Sequence, residues 1–106
     1  MNANSFTWPG RIGSDPAHDL IAAYLVIDIQ KSPHWAEELL QKIREVKSGR
    51  ISSWERVGNY YCLRLFPDHV EIEGDYSEEP AKAARVSVDD LEAAASAWRT
   101  FIKQKG

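Results

Sequence analysis

The spacing of apolar residues changes twice along this chain, and each change marks a different kind of element. Across residues 33–46 the apolar positions Trp35, Leu39, Leu40, Ile43 and Val46 form one stripe at helical period. Ser32-Pro33 supplies an N-cap and a first-turn proline, and Lys47-Ser48-Gly49 supplies a cationic last turn and a left-handed stop. Beyond Gly49 the rhythm becomes a two-residue alternation in three runs, Ile51–Val57, Tyr60–Phe66 and Val70–Asp75, separated by the turn-forming Gly58-Asn59 and Pro67-Asp68-His69. These predict a β-meander, with Lys82–Val86 a candidate fourth strand. From Ser87 the helical spacing returns: Asp89 and Asp90 suit a first turn, and Leu91, Ala94, Ala95, Trp98, Phe101 and Ile102 form a stripe that ends in basic residues.

The N-terminal third is less regular. Residues 1–16 hold Trp8-Pro9-Gly10, Gly13 and Asp15-Pro16, which predicts an extended arm or loop packed through Phe6 and Trp8. Ala17 to Gln30 approximates helical spacing at Leu20, Ile21, Tyr24, Leu25 and Ile27 behind an Asp15 cap, although Tyr24 to Ile29 alone also fits a buried strand. The expected fold is α+β: an antiparallel three- to four-stranded β-meander packed against two N-terminal helices and one C-terminal amphipathic helix, in one domain spanning 1–106. With two-residue turns at Gly58-Asn59 and Asp68-His69, one sheet face collects Trp54, Tyr61, Leu63, Leu65, Val70 and Ile72 and should meet the helices. The other collects Glu55, Tyr60, Cys62, Arg64, Phe66, Glu71 and Glu73.

Charge sharpens this picture. The chain carries a formal −3, but residues 68–92 hold nine acids against two bases, whereas residues 31–67 hold seven bases against four acids. An acidic segment disfavours phosphate backbones and favours a basic partner. The longest apolar run, Leu20 to Ile27, is far short of the roughly 20 residues that cross a bilayer, and no export signal precedes it. Cys62 is the single cysteine, which suits a reducing cytoplasm.

Candidate chemistry is sparse. Cys62 lies mid-strand without a histidine at a recognisable spacing, and His18, His34 and His69 form no zinc-type pattern. The glycines are isolated turn residues rather than a phosphate-binding loop. Trp35, Trp54 and Trp98 fall on inward stripes. The expectation is therefore a binding protein rather than an enzyme, without metal or cofactor. Its contact surface combines the aromatics Tyr60, Phe66 and Tyr76 with the carboxylates Glu71, Glu73, Asp75, Glu78 and Glu79. Three other readings compete: a protein-binding or regulatory domain of another kind, a small enzyme built on Cys62 or the carboxylates, and a nucleic-acid binder using Lys42, Arg44, Lys47 and Arg50. The exposed edges Ile51–Val57 and Lys82–Val86 allow a weak dimer beside the monomer.

Several short motifs are shared with one group of proteins. Asp28-Ile29-Gln30, Ser48-Gly49 closing a helix, Ser53-Trp54-Glu55, Gly58-Asn59-Tyr60, Val70-Glu71-Ile72-Glu73 and Trp98-Arg99-x-Phe101 give a pattern over residues 20–102. It resembles small bacterial immunity proteins of contact-dependent growth inhibition and related polymorphic-toxin systems. The resemblance implies a cytosolic protein that binds a cognate toxin domain, commonly a nuclease, and blocks its active site or substrate path. It carries over no contact residues.

Overall fold

Asp15 opens the first helix: its carboxylate accepts the Ala17 N–H at 2.9 Å, and Pro16 takes the first helical position, where no N–H is needed. In the computed structural model, which describes residues 6–74 and 84–105, helix α1 covers Pro16–Tyr24 and leads into one π-helical turn, Leu25–Ile29. The Gln30 N–H closes that wide turn on the Leu25 carbonyl at 2.7 Å. The helical alternative for residues 17–30 is thus the one adopted, because Ile21, Tyr24, Leu25 and Ile29 fall on one side and are fully buried there. Gln30 ends the turn at φ 60°, ψ −152°, a backbone region that disfavours side chains. The Trp98 indole N–H holds its carbonyl at 2.7 Å.

Helix α2, Pro33–Lys47, starts as its sequence dictates, with Ser32 Oγ accepting the Trp35 N–H at 3.2 Å. At its end Gly49, with φ 79°, donates to the Val46 carbonyl at 3.2 Å, and Arg50 N–H donates to the Glu45 carbonyl at 3.0 Å. This is a Schellman stop, which satisfies carbonyls that the helix leaves open. Four strands follow: β1 Trp54–Val57, β2 Tyr61–Leu65, β3 Val70–Gly74 and β4 Ala84–Val86, all antiparallel in the order β1-β2-β3-β4. Helix α3, Val88–Lys105, begins where Ser87 Oγ accepts the Asp90 N–H at 3.2 Å. The protein is α+β, with three α-helices among the described residues lying N- and C-terminal to an antiparallel sheet.

The strands are shorter than the alternating runs, and both turns lie one residue later or earlier than expected. Gly58 N–H donates to the Tyr61 carbonyl and Phe66 N–H to the His69 carbonyl, each at 2.9 Å, so the two-residue loops are Asn59-Tyr60 and Pro67-Asp68. Each correction moves the pairing register by two residues. Side chains alternate with period two, so the face assignment survives. Leu63 pairs with Ile72 and Leu65 with Val70, and all four are buried against the helices together with Val86, Leu91, Ala94 and Trp98. Phe6 and Trp8 are buried as the arm's anchors. The part of the fourth strand before Ala84 lies outside the described residues.

Candidate protein interface

The outer face of the sheet is built from the residues that alternate away from the core. The register aligns Glu55, Arg64, Glu71 and Arg85 in one cross-strand row and Val57, Cys62 and Glu73 in the next. The Arg64 guanidinium of the first row is shared by carboxylates of both rows: Nε meets Glu55 Oε2 at 3.2 Å, Nη1 meets Glu71 Oε1 at 3.3 Å and Nη2 meets Glu73 Oε1 at 2.7 Å. Those contacts, Glu73's above all, hold the guanidinium proton above its ordinary range. With Arg85 opposite Glu71 in the same row, two guanidiniums stand against three carboxylates, which leaves a surplus of one negative charge on the face. The Cys62 thiol is tucked beneath this layer and donates to Glu55 Oε2 at 3.5 Å. Burial first, and that contact second, push its proton affinity up, so the thiol is kept un-ionised and is a poor nucleophile.

The aromatic candidates do not form one cluster. Phe66 stacks on the His69 ring, 4.7 Å between centroids, and His69 in turn contacts Asp68 at 2.8 Å and Glu71 at 3.2 Å. Tyr60 lies at the other end of β2, roughly 20 Å away at the rise of an extended strand. It is 41% exposed beside Val57, which is 70% exposed. Glu71 and Glu73 are brought together by Arg64, whereas Asp75, Tyr76, Glu78 and Glu79 lie outside the described residues.

Tyr60 is held by a feature that the sequence reading missed. Asp28, fully buried on the inner stripe of the π-turn, accepts the Tyr60 N–H at 2.9 Å on Oδ1 and the Tyr61 N–H at 2.8 Å on Oδ2. Gly58 packs between this carboxylate and the Arg56 guanidinium: a Cβ there would lie 2.3 Å from Asp28 Oδ2 and 2.9 Å from Arg56 Nη1. Arg56 pairs opposite Leu63 and therefore points to the inner side, with its guanidinium 4.9 Å from the Trp35 ring centre. The nearby Tyr24 hydroxyl is buried, and desolvation raises its proton affinity well above the ordinary phenol range. The signal for Asp28 was its spacing, since it continues the stripe Ile21, Tyr24, Leu25 as a lone carboxylate.

The lysines of α2 are closely paired, and Arg44 has one long contact. Lys47 meets Asp89 and Glu92, each at 2.7 Å, Arg44 meets Glu92 at 3.6 Å, and Lys42 meets Glu45 at 3.3 Å. These pairs weaken the field that this helix would offer to a nucleic-acid backbone. Among the described residues no group of three or more His, Cys, Asp or Glu could hold a metal ion. No described helix is long and apolar enough to cross a membrane.

Comparison with known proteins gives two relatives. The chain is 23% identical over 101 aligned positions to a UPF0231 protein of Shewanella baltica (strain OS223), covering 82% of each chain. It is 25% identical over 103 positions to a UPF0231 protein of Shewanella oneidensis, covering 84% of this chain and 82% of the relative. No family model matches. No solved structure matches.

Proposed function

We propose that this chain is a protein-binding module that docks a basic partner on the outer face of its sheet, and that the partner is a cognate toxin domain that the chain neutralises. The observation that carries the docking surface is the row of Glu55, Glu71 and Glu73 around Arg64, with the exposed Val57 and Tyr60 at its end. Surplus negative charge steers a basic surface into encounter, and an apolar side chain on a fixed turn supplies an anchor once water is expelled. The identity of the partner as a toxin domain is supported by the sequence motifs shared with immunity proteins. A second reading, a protein-binding or regulatory domain with no toxin partner, rests on the same surface without the resemblance.

The two readings separate on one experiment. The gene is expressed in cells that produce a candidate polymorphic-toxin domain from the same genome, and survival is scored. Rescue by the native chain, lost in Glu55→Lys/Tyr60→Ala, supports neutralisation through this face. Full rescue by that variant places the contact elsewhere. Failure of the native chain to rescue leaves the second reading.

A further inference from the structure

On the helical side of the molecule α2, its C-terminal stop and α3 enclose a groove of about 510 Å³, a volume within the range of small-molecule sites. Its floor is the buried Leu40, and Arg44, Ser48, Arg50 and Arg99 stand along it.

The lining sets three arginines against two carboxylates. The carbonyls at the end of α2 are already satisfied: those of Arg44, Glu45 and Val46 accept from Ser48, Arg50 and Gly49 N–H respectively. Of the two lining carboxylates, Glu37 accepts from Arg99 Nη1 at 2.7 Å. Glu45 meets Lys42 at 3.3 Å and accepts from Gln41 at 3.4 Å. Both are held below the usual carboxylate range by those contacts, Arg99 first for Glu37 and Lys42 first for Glu45. Arg99 and the Ser48 hydroxyl are partly engaged, on Glu37 and on the Glu45 carbonyl, and Glu45 Oε1 is buried with only its Lys42 contact, so the vacant donors are those of Arg44 and Arg50. Arg44 has one long contact, 3.6 Å through Nε, to a glutamate that Lys47 already holds, and among the described residues Arg50 makes no ion pair. Arg99 keeps its remaining N–H groups. Planar guanidiniums with vacant N–H pairs match a carboxylate or phosphate.

We propose that this groove binds a small anion, a carboxylate or phosphate monoester carried on a short apolar body, with Arg44 and Arg50 taking the charged end and Leu40 the body. The site is on the opposite side from the outer sheet face and is independent of any docking there.

The probes are inorganic phosphate, a phosphate monoester with a short alkyl chain, and glutarate, each titrated into the full chain at constant ionic strength and followed by amide and arginine Nε NMR shifts. Saturable shifts at Ser48, Gly49 and Arg50 are expected. Affinity should be higher for the alkyl phosphate or glutarate than for inorganic phosphate, and at least about tenfold weaker in Arg44→Gln or Arg50→Gln. Whether phosphate or carboxylate probes bind more tightly identifies the anion. Both arginines are solvent-facing and their variants keep the buried core, which near-UV dichroism checks. Shifts that never saturate, that survive both substitutions, or that are exceeded by binding of a single-stranded oligonucleotide over its mononucleotide would overturn the assignment.

Discussion

Removing the Asp28 carboxylate should cost far more than its single position suggests. The side chain is fully buried and accepts two backbone N–H bonds, at 2.9 and 2.8 Å. A bond to a charged acceptor contributes about 1.5–3 kcal/mol, and a buried N–H left without a partner costs about 1–3 kcal/mol. Asp28→Ala loses two such bonds at the start of β2. Some of this is returned, because the carboxylate itself no longer has to be desolvated and the turn can open to water. A net loss of about 3 kcal/mol is expected, or a fall in Tm on the order of 12 °C or more for a chain this size. Urea unfolding of native and variant chains measures the global term. Hydrogen exchange of the Tyr60 and Tyr61 amides, both of which should lose protection, measures the local one. Asp28→Asn retains one acceptor and should fall between. A loss below about 0.5 kcal/mol with those amides still protected would refute the claim that Asp28 pins the turn.

Four further outcomes follow from the same structure. Gly58→Ala should destabilise by about 1–3 kcal/mol through overpacking, because its Cβ would meet the Asp28 carboxylate at 2.3 Å, and Gly58→Ala in an Asp28→Ala background should cost much less, as a double-mutant cycle would reveal. Cys62 should alkylate far more slowly in the native chain than in urea at pH 8, since burial and the Glu55 contact raise its proton affinity; equal rates would remove it from beneath the Arg64 layer. Gln30→Gly should be neutral or stabilising by up to about 1 kcal/mol, strain relief exceeding the entropic cost of glycine, and a clear loss on urea unfolding would show that the φ of 60° is not strained. The ion pairs joining α2 to α3 set a pH window. Glu37 has a lowered folded value, so its contribution is present above its ordinary 4.5 and lost as pH falls through that lowered value; Lys47 has a raised one, so its contribution is present below its ordinary 10.5 and lost as pH rises through the raised value. Thermal unfolding followed from pH 3 to 11 should therefore form a plateau between these limits, shallow because the groups are exposed.

Much of the architecture was legible because helix caps and alternation are local signals. Asp15-Pro16, Ser32-Pro33, Gly49 and Ser87 act as their residue types dictate. The turn positions were displaced, since Gly58-Asn59 is the stronger turn dipeptide by composition, yet the chain bends at Asn59-Tyr60, where Asp28 offers acceptors to Tyr60 and Tyr61 N–H. A tertiary contact from 32 residues away decided the turn, and no local rule contains it. The candidate surface was legible only by face. That Glu55, Glu71 and Glu73 share one arginine depends on register. The net charge of residues 68–92 also overstated the field, because Asp89 and Glu92 belong to α3 and are spent on Lys47.

The central claim is that the outer sheet face takes a basic protein partner. Its most direct measurement is the ionic-strength dependence of association between this chain and the toxin domain proposed as its partner, compared with Glu55→Lys, which reverses the most exposed of the three carboxylates on Arg64. The account predicts an association rate that falls steeply as salt rises from low to physiological levels, and a Glu55→Lys rate at least about tenfold lower at low salt and nearly equal at high salt. Association that is unchanged by salt and by the charge reversal, or no association at all, would contradict it.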